Sequence, residues 1–247
     1  MKELLSHLEK FRFGDSLVRQ SSIALKTAFD SILPLRCCLC MQPDQNGFCH
    51  QCQQLLPWLG CACLKCGAAL PSEGICGKCQ TKPAGIQSAT IPFRYIDPIS
   101  HQIHSLKYQR KLTVAPALGK MLAIQVIKNM SRLPDALLPV PLHINRIKQR
   151  GFNQAGLIAE STGKLLGIPV DYGIICRTKD TVSQTSLDQG ARAKNMLEAF
   201  AVHVNGRYDA VAVIDDVITS GATINAICTE LRLNGYNNIS AWAIAKT

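Results

Sequence analysis

The spacing of apolar residues changes along the chain, and each change predicts an element. Val211 to Ile214 is an unbroken apolar run, which suits a strand buried on both faces of a parallel sheet. Ile224, Ile227, Cys228 and Leu231 then fall at helical spacing and form the stripe of an amphipathic helix. Asn234-Gly235 supplies its stop, and Ile239 to Ala245 reads as the next strand. Upstream, Ala89, Ile91, Phe93 and Tyr95 alternate as a half-buried strand that Pro92 makes an edge or a bulge. Ile99, Ile103 and Leu106 predict one helix, ending in Lys107-Tyr108-Gln109-Arg110-Lys111, and Leu118, Met121, Leu122 and Val126 predict another. Asp135 to Leu142 is an apolar strand broken by Pro139 and Pro141, a rigid turn that can hold a cis peptide. Ile168 to Cys176 and Phe200 to Val204 read as further strands, with an Asn205-Gly206 turn after the second. Met1 to Leu35 has helical spacing with a break at Asp15-Ser16, and either packs on its own domain or docks on a partner or membrane surface.

Cysteines mark out a separate module. Cys37/Cys40 with Cys49/Cys52, and Cys63/Cys66 with Cys76/Cys79, are two sets of CxxC knuckles. Each CxxC puts two thiolates on one turn, and two turns complete a tetrahedral zinc site. Sequential and crossed pairing both fit the spacing. A closed all-thiolate site leaves no open catalytic position, so the role expected for zinc is structural. Cys38, Cys61, Cys176 and Cys228 are left over and read as buried small residues, and Trp58 as a packing residue. Thr81 to Gly85 reads as a linker, giving an N-terminal helical segment (1–36), a double zinc ribbon (37–82) and an α/β domain (83–247).

Asp215 and Asp216 are expected where the Val211 strand ends, at the edge where open α/β sheets bind ligands. The loop after them, Thr219-Ser220-Gly221-Ala222-Thr223, is small and hydroxyl-rich and opens a helix, a place for a phosphate. Two carboxylates beside a phosphate require a sugar diol or a divalent cation between them. The loop is neither a GxxxxGK[ST] nor a GxGxxG motif. It resembles the phosphoribosyl diphosphate (PRPP) motif of the type I phosphoribosyltransferase fold. That resemblance implies Asp215 and Asp216 on the ribose hydroxyls and Thr219, Ser220, Gly221, Ala222 and Thr223 around the 5′-phosphate.

Charge adds a second surface. The formal net charge is +10, and two four-thiolate zinc sites lower it by 4, to about +6. From His101 to Asn153 there are nine Lys or Arg and one acid, Asp135. Arg146, Lys148 and Arg150 follow a strand end and suit diphosphate oxygens or a nucleic-acid backbone. No apolar window is long enough for a transmembrane helix and the N-terminus does not read as a signal peptide, so a cytoplasmic protein is expected.

The CxxC set, Leu106-Lys107-Tyr108, Pro139-Val-Pro-Leu142, Arg150-Gly-Phe-Asn-Gln154, Gln184 with Arg192 and Asn195, and Val211 to Thr223 together resemble the ComF family of competence proteins. The resemblance implies a type I phosphoribosyltransferase-like parallel α/β sheet behind an N-terminal double zinc ribbon. It implies a DNA-uptake role in natural transformation, with PRPP and Mg²⁺ bound and single-stranded DNA contacted in the cytoplasm or at the inner face of the inner membrane. Helicase-like or channel proteins would be its partners. By the same resemblance Pro141, Leu142, His143, Arg146, Arg150 and Lys107 hold the diphosphate. An active transferase with an unidentified acceptor, and an adaptor that senses PRPP, remain alternatives, because no pocket for an acceptor is recognisable in the sequence.

Overall fold

The computed structural model describes residues 36–81, 85–178, 199–203 and 207–247. The expected N-terminal helices lie outside the described residues, as do 82–84 of the linker, Gln184, Arg192, Asn195 and the Asn205-Gly206 turn. The ribbons hold two short helices, α1 (His50–Gln54) and α2 (Gly77–Thr81). The α/β part runs β1 (Ser88–Thr90), β2 (Phe93–Arg94), α3 (Ile99–Gln109), α4 (Val114–Asn129), β3 (Ala136–Pro139), α5 (Ile144–Arg150) and α6 (Gln154–Leu166). It continues through β4 (Ile175–Arg177), β5 (Phe200–Val202), β6 (Ala210–Ile218), α7 (Ala222–Leu233) and β7 (Asn238–Lys246).

The main sheet is parallel throughout, with β6 between β3 and β7, and with β1 and β2 end to end along the outer edge of β7. Strand alternation sorts its side chains into two cores. Ala212, Ile214, Trp242 and Ile244 face α3, α4 and α6, where Ile103, Leu118 and Ile158 are buried. Val211, Val213, Ala241 and Ala243 face α7, where Ile227 and Leu231 are buried. The continuous apolar runs of β6 and β7 follow from this, since neither face of the sheet meets water.

Four local expectations change. The Ala89 to Tyr95 strand is split into β1 and β2 around Pro92, which has no N–H to give a ladder. The Ile168 to Cys176 strand is also split. Val170 makes one parallel bridge to Leu137, Asp171 then turns the chain by accepting from the Gly173 N–H at 2.8 Å, and β4 pairs antiparallel with β5 in a sheet of its own. The cis peptide lies at Asp97-Pro98, and Pro139 and Pro141 are trans. Of the leftover cysteines, Cys38 and Cys228 are buried, but Cys61 is exposed and Cys176 half-buried, with its Sγ 2.9 Å from His203 Nε2.

The ribbons are built into the domain rather than tethered to it. Their backbone covers the free edge of β1 and β2: Ala89 N–H donates to Leu64 O at 2.7 Å, Leu59 N–H to Pro92 O at 2.8 Å and Arg94 N–H to Pro57 O at 2.8 Å. Cys38, Phe48 and Leu56 enter the core under α3 and α4. Gly47 and Gly67, both at positive φ, lie so close to Ala117 and Ile91 that a Cβ on either would collide with those side chains. Trp58 is the packing residue expected, its ring 4.8 Å from that of Phe93.

Candidate functional site

The eight cysteines form two closed sites with sequential pairing: Cys37, Cys40, Cys49 and Cys52 in one, and Cys63, Cys66, Cys76 and Cys79 in the other, each with sulfurs within 4.8 Å of one another. The Cys40–Cys49 and Cys66–Cys76 sulfur pairs are both 3.6 Å apart. A tetrahedron with Zn–S bonds of about 2.3 Å has edges of about 3.8 Å, so both sites fit zinc. Each knuckle turns backbone N–H groups onto its first sulfur: Cys49 N–H lies 3.4 Å from Cys37 Sγ, and Cys76 N–H 3.3 Å from Cys63 Sγ. Burial pushes these two thiols up, but the backbone donors outweigh it and bring both down to about 6. Such thiols ionise readily to take the metal.

The second site forms because β3 is short. Its last pair is Pro139 with Ile214, and Val140 N–H closes the ladder on Ile214 O at 2.8 Å. β6 runs on for four residues beside β7, to Ile218 opposite Lys246. The strand therefore does not end at Asp215, as the sequence suggested. Asp215 and Asp216 lie inside it, beyond the end of its neighbour, where the β3 side of β6 is open among the described residues. Asp216 is only 3 % exposed and pairs with Lys107 Nζ on α3. Asp215 Oδ1 accepts the Asp216 N–H at 2.8 Å. Burial, followed by the charge of Asp216, pushes the Asp215 carboxyl well above the usual carboxylate range.

The small-residue loop follows at once. Gly221 is the N-cap of α7 in the left-handed conformation and has no side chain with which to cap the helix. Ala222 N–H finds Ser220 Oγ at 3.3 Å. Thr219 and Ser220 are exposed and Thr223 half-buried, so the loop is open at a helix N-terminus, where an anion is favoured. Lys246, which sequence reasoning missed, holds the loop from behind by donating from Nζ to Thr219 O at 2.6 Å. Only the β6–β7 register could have flagged it. Beside the loop a crevice of about 560 Å³ opens between α7 and the second ribbon, with Ile86, Ala89, Ile218 and Ile224 among its walls and Lys78 and Lys246 on its polar side.

Of the expected diphosphate residues, Lys107 lies on α3 in the pair with Asp216, and the others occupy the turn after β3 and helix α5. His143 is the N-cap of α5, its Nδ1 accepting from Asn145 N–H at 3.3 Å. Arg146 is half-buried, and Pro141 and Leu142 line the turn. Arg150 does not reach the carboxylates. Its guanidinium lies over the Tyr108 ring at 5.1 Å and donates to Gln154 Oε1 at 3.1 Å. The Arg-Gly-Phe-Asn-Gln stretch is thus a helix junction. Gly151 ends α5 at φ 83, Phe152 packs against the core, and Asn153 caps α6 through Ala155 N–H while donating to Val140 O at 3.0 Å. The motif ties the end of β3 to the position of Arg150.

Residues 28–80 match the family model described as double zinc ribbon domain. Over 225 residues the chain is 32 % identical to the DNA utilization protein YhgH of Shigella flexneri, covering 87 % of this chain and 98 % of that protein. Over 213 residues it is 33 % identical to competence protein F of Haemophilus influenzae, covering 82 % and 91 %. The chain belongs to this competence protein F family. The longer match exceeds the stretch from Gly85 to Thr247, so members of the family share ribbon sequence as well as the α/β domain. Among solved structures, the glutamine PRPP amidotransferase of B. subtilis complexed with ADP and GMP is similar at 23 % identity over 52 % of this chain and 25 % of that one, with a TM-score of 0.36. No helix among the described residues is long and apolar enough to cross a membrane.

Proposed function

We propose that this chain is a DNA-uptake factor that binds PRPP with Mg²⁺ at the open end of β6 and contacts single-stranded DNA through its basic surface. One observation carries the ligand reading: two adjacent acids, Asp215 and Asp216, stand where β6 outruns β3, one short loop before the N-terminus of α7. The loop amides and the hydroxyls of Thr219, Ser220 and Thr223 suit a terminal phosphate. The carboxylates suit the ribose diol. Burial and the charge of Asp216 raise the Asp215 carboxyl, so the pair of acids also suits a divalent cation, and Lys107 supplies a positive charge at Asp216 until one arrives. Mg²⁺ would bridge carboxylate and phosphate oxygens there.

The DNA half of the reading rests on family membership and on charge. Relatives are named for competence and DNA utilization, and nine Lys or Arg against one acid fall between His101 and Asn153. The strand would be taken up on the cytoplasmic side, from a channel or helicase-like partner.

The test is thermal stabilisation by PRPP with Mg²⁺, in the wild type and in Asp215→Ala and Asp216→Ala. Both variants should fold and lose the ligand-dependent shift. Equal shifts in all three proteins would refute the site. The crevice beside the loop favours a second reading, in which it admits an acceptor for ribosyl transfer. Acceptor-dependent release of diphosphate would establish that reading. Its absence across bases, nucleosides and single-stranded DNA would leave a binding protein.

A further inference from the structure

Tyr108 is 62 % exposed, on a chain with only 6 % aromatic residues, yet it is not loose. Its ring lies 4.6 Å from that of His104, one turn earlier on α3, and 5.1 Å from the Arg150 guanidinium at the end of α5. Arg150 is fixed in turn by Gln154. Arg110, in the left-handed cap of α3, reaches to the same place: a Cβ on Gly151 would lie 3.9 Å from its Nη2. Two cations from separate segments, Arg110 at the end of α3 and Arg150 at the end of α5, therefore converge on one exposed and preoriented aromatic ring. A ring held by packed neighbours serves no core, and cations around it repel one another unless a polyanion lies among them.

We propose that Tyr108 is a base-stacking platform for single-stranded DNA, with Arg110 and Arg150 as its phosphate contacts. This rests on the DNA-handling half of the proposed function and gives it a location. Stacking needs the open π-face of an unpaired base, so the platform selects single strands over duplex, while the cations provide affinity without reading sequence. The preceding residue, Lys107, is paired with Asp216, so the platform and the carboxylate cleft are served by adjacent side chains of one helix.

The experiment is fluorescence anisotropy of labelled oligothymidylate at several salt concentrations, with a duplex of the same length for comparison. Tyr108→Ala should weaken single-strand binding about 10-fold with an unchanged salt slope, and Tyr108→Trp should restore it. Arg150→Ala should lower the salt slope by about 1. Tyr108→Ala binding like the wild type, or a duplex losing affinity equally in that variant, would overturn the platform. PRPP stabilisation measured on the same proteins separates the two readings. Tyr108-dependent DNA binding without any PRPP response in the wild type sinks the PRPP site and leaves the platform standing. Loss of both responses in Tyr108→Ala overturns the platform, because the change then acts through Lys107 and Asp216.

Discussion

The ammonium of Lys107 pairs with the carboxylate of Asp216, across the gap between α3 and the open end of β6. The acid is nearly sealed from water, and the lysine is its cationic partner in the ligand-free protein. Removing the lysine leaves a buried carboxylate without compensation. Lys107→Ala should therefore destabilise the chain by about 1–3 kcal/mol in chemical denaturation, less than a fully buried pair because the lysine is partly exposed. Added Mg²⁺ should recover more stability in this variant than in the wild type. A variant as stable as the wild type would show that the pair is not formed in solution.

Asp215 gives a dependence on pH. Its folded pKa is raised above the unfolded value, so the native state binds the proton more tightly than the unfolded chain. Stability from this residue is present at acid pH and is lost as pH climbs from the ordinary Asp value through the raised one. Asp215→Asn keeps the oxygen that accepts Asp216 N–H and removes the charge. It should melt at a higher temperature than the wild type at pH 8, with the gap closing toward pH 4. A pH-independent gap would refute the raised pKa.

Metal content is the third prediction. The wild type should carry two zinc ions per chain by elemental analysis, and Cys79→Ser about one. Because the second ribbon supplies the Leu64 carbonyl to β1, losing its metal should also speed exchange of the Ala89 amide. Slow exchange at Ala89 in the one-zinc protein would show that the ribbon backbone holds without its metal.

A fourth concerns Gly67, directly after Cys66. Gly67→Ala meets both a positive φ and the Ile91 side chain. It should cost about 2–3 kcal/mol. Ile91→Val removes the Cδ1 that the new Cβ would strike, so the double variant should recover part of that loss. No recovery would assign the whole cost to the backbone.

Local chemistry was legible in the sequence, and distances between elements were not. The apolar runs of β6 and β7 are visible because both of their faces are buried, and the CxxC spacing is visible because one turn must present two thiolates. Zinc pairing was undetermined, since knuckle spacing is the same for sequential and crossed sites. The length of β6 was misjudged because acids normally end a buried strand. Here the strand continues on β7 alone, and a carboxylate inside it is tolerated beside an absent neighbour. The Lys107–Asp216 pair and the hold of Lys246 on Thr219 join residues far apart in the chain, and no spacing rule reports them. Arg150 was expected on the diphosphate, and its seat over Tyr108 could not be foreseen because it depends on how α5 leans on α3.

The site exists because β3 is left unfinished. Pro141, with no N–H to extend the ladder, comes just after its last bond from Val140, and the flank of β6 beside Asp215 and Asp216 stays unpaired. The protein makes its cleft by omission, without an inserted loop. A β-former in place of Pro141 would let the strand grow alongside Asp215 and Asp216, giving a sturdier sheet with both acids walled in.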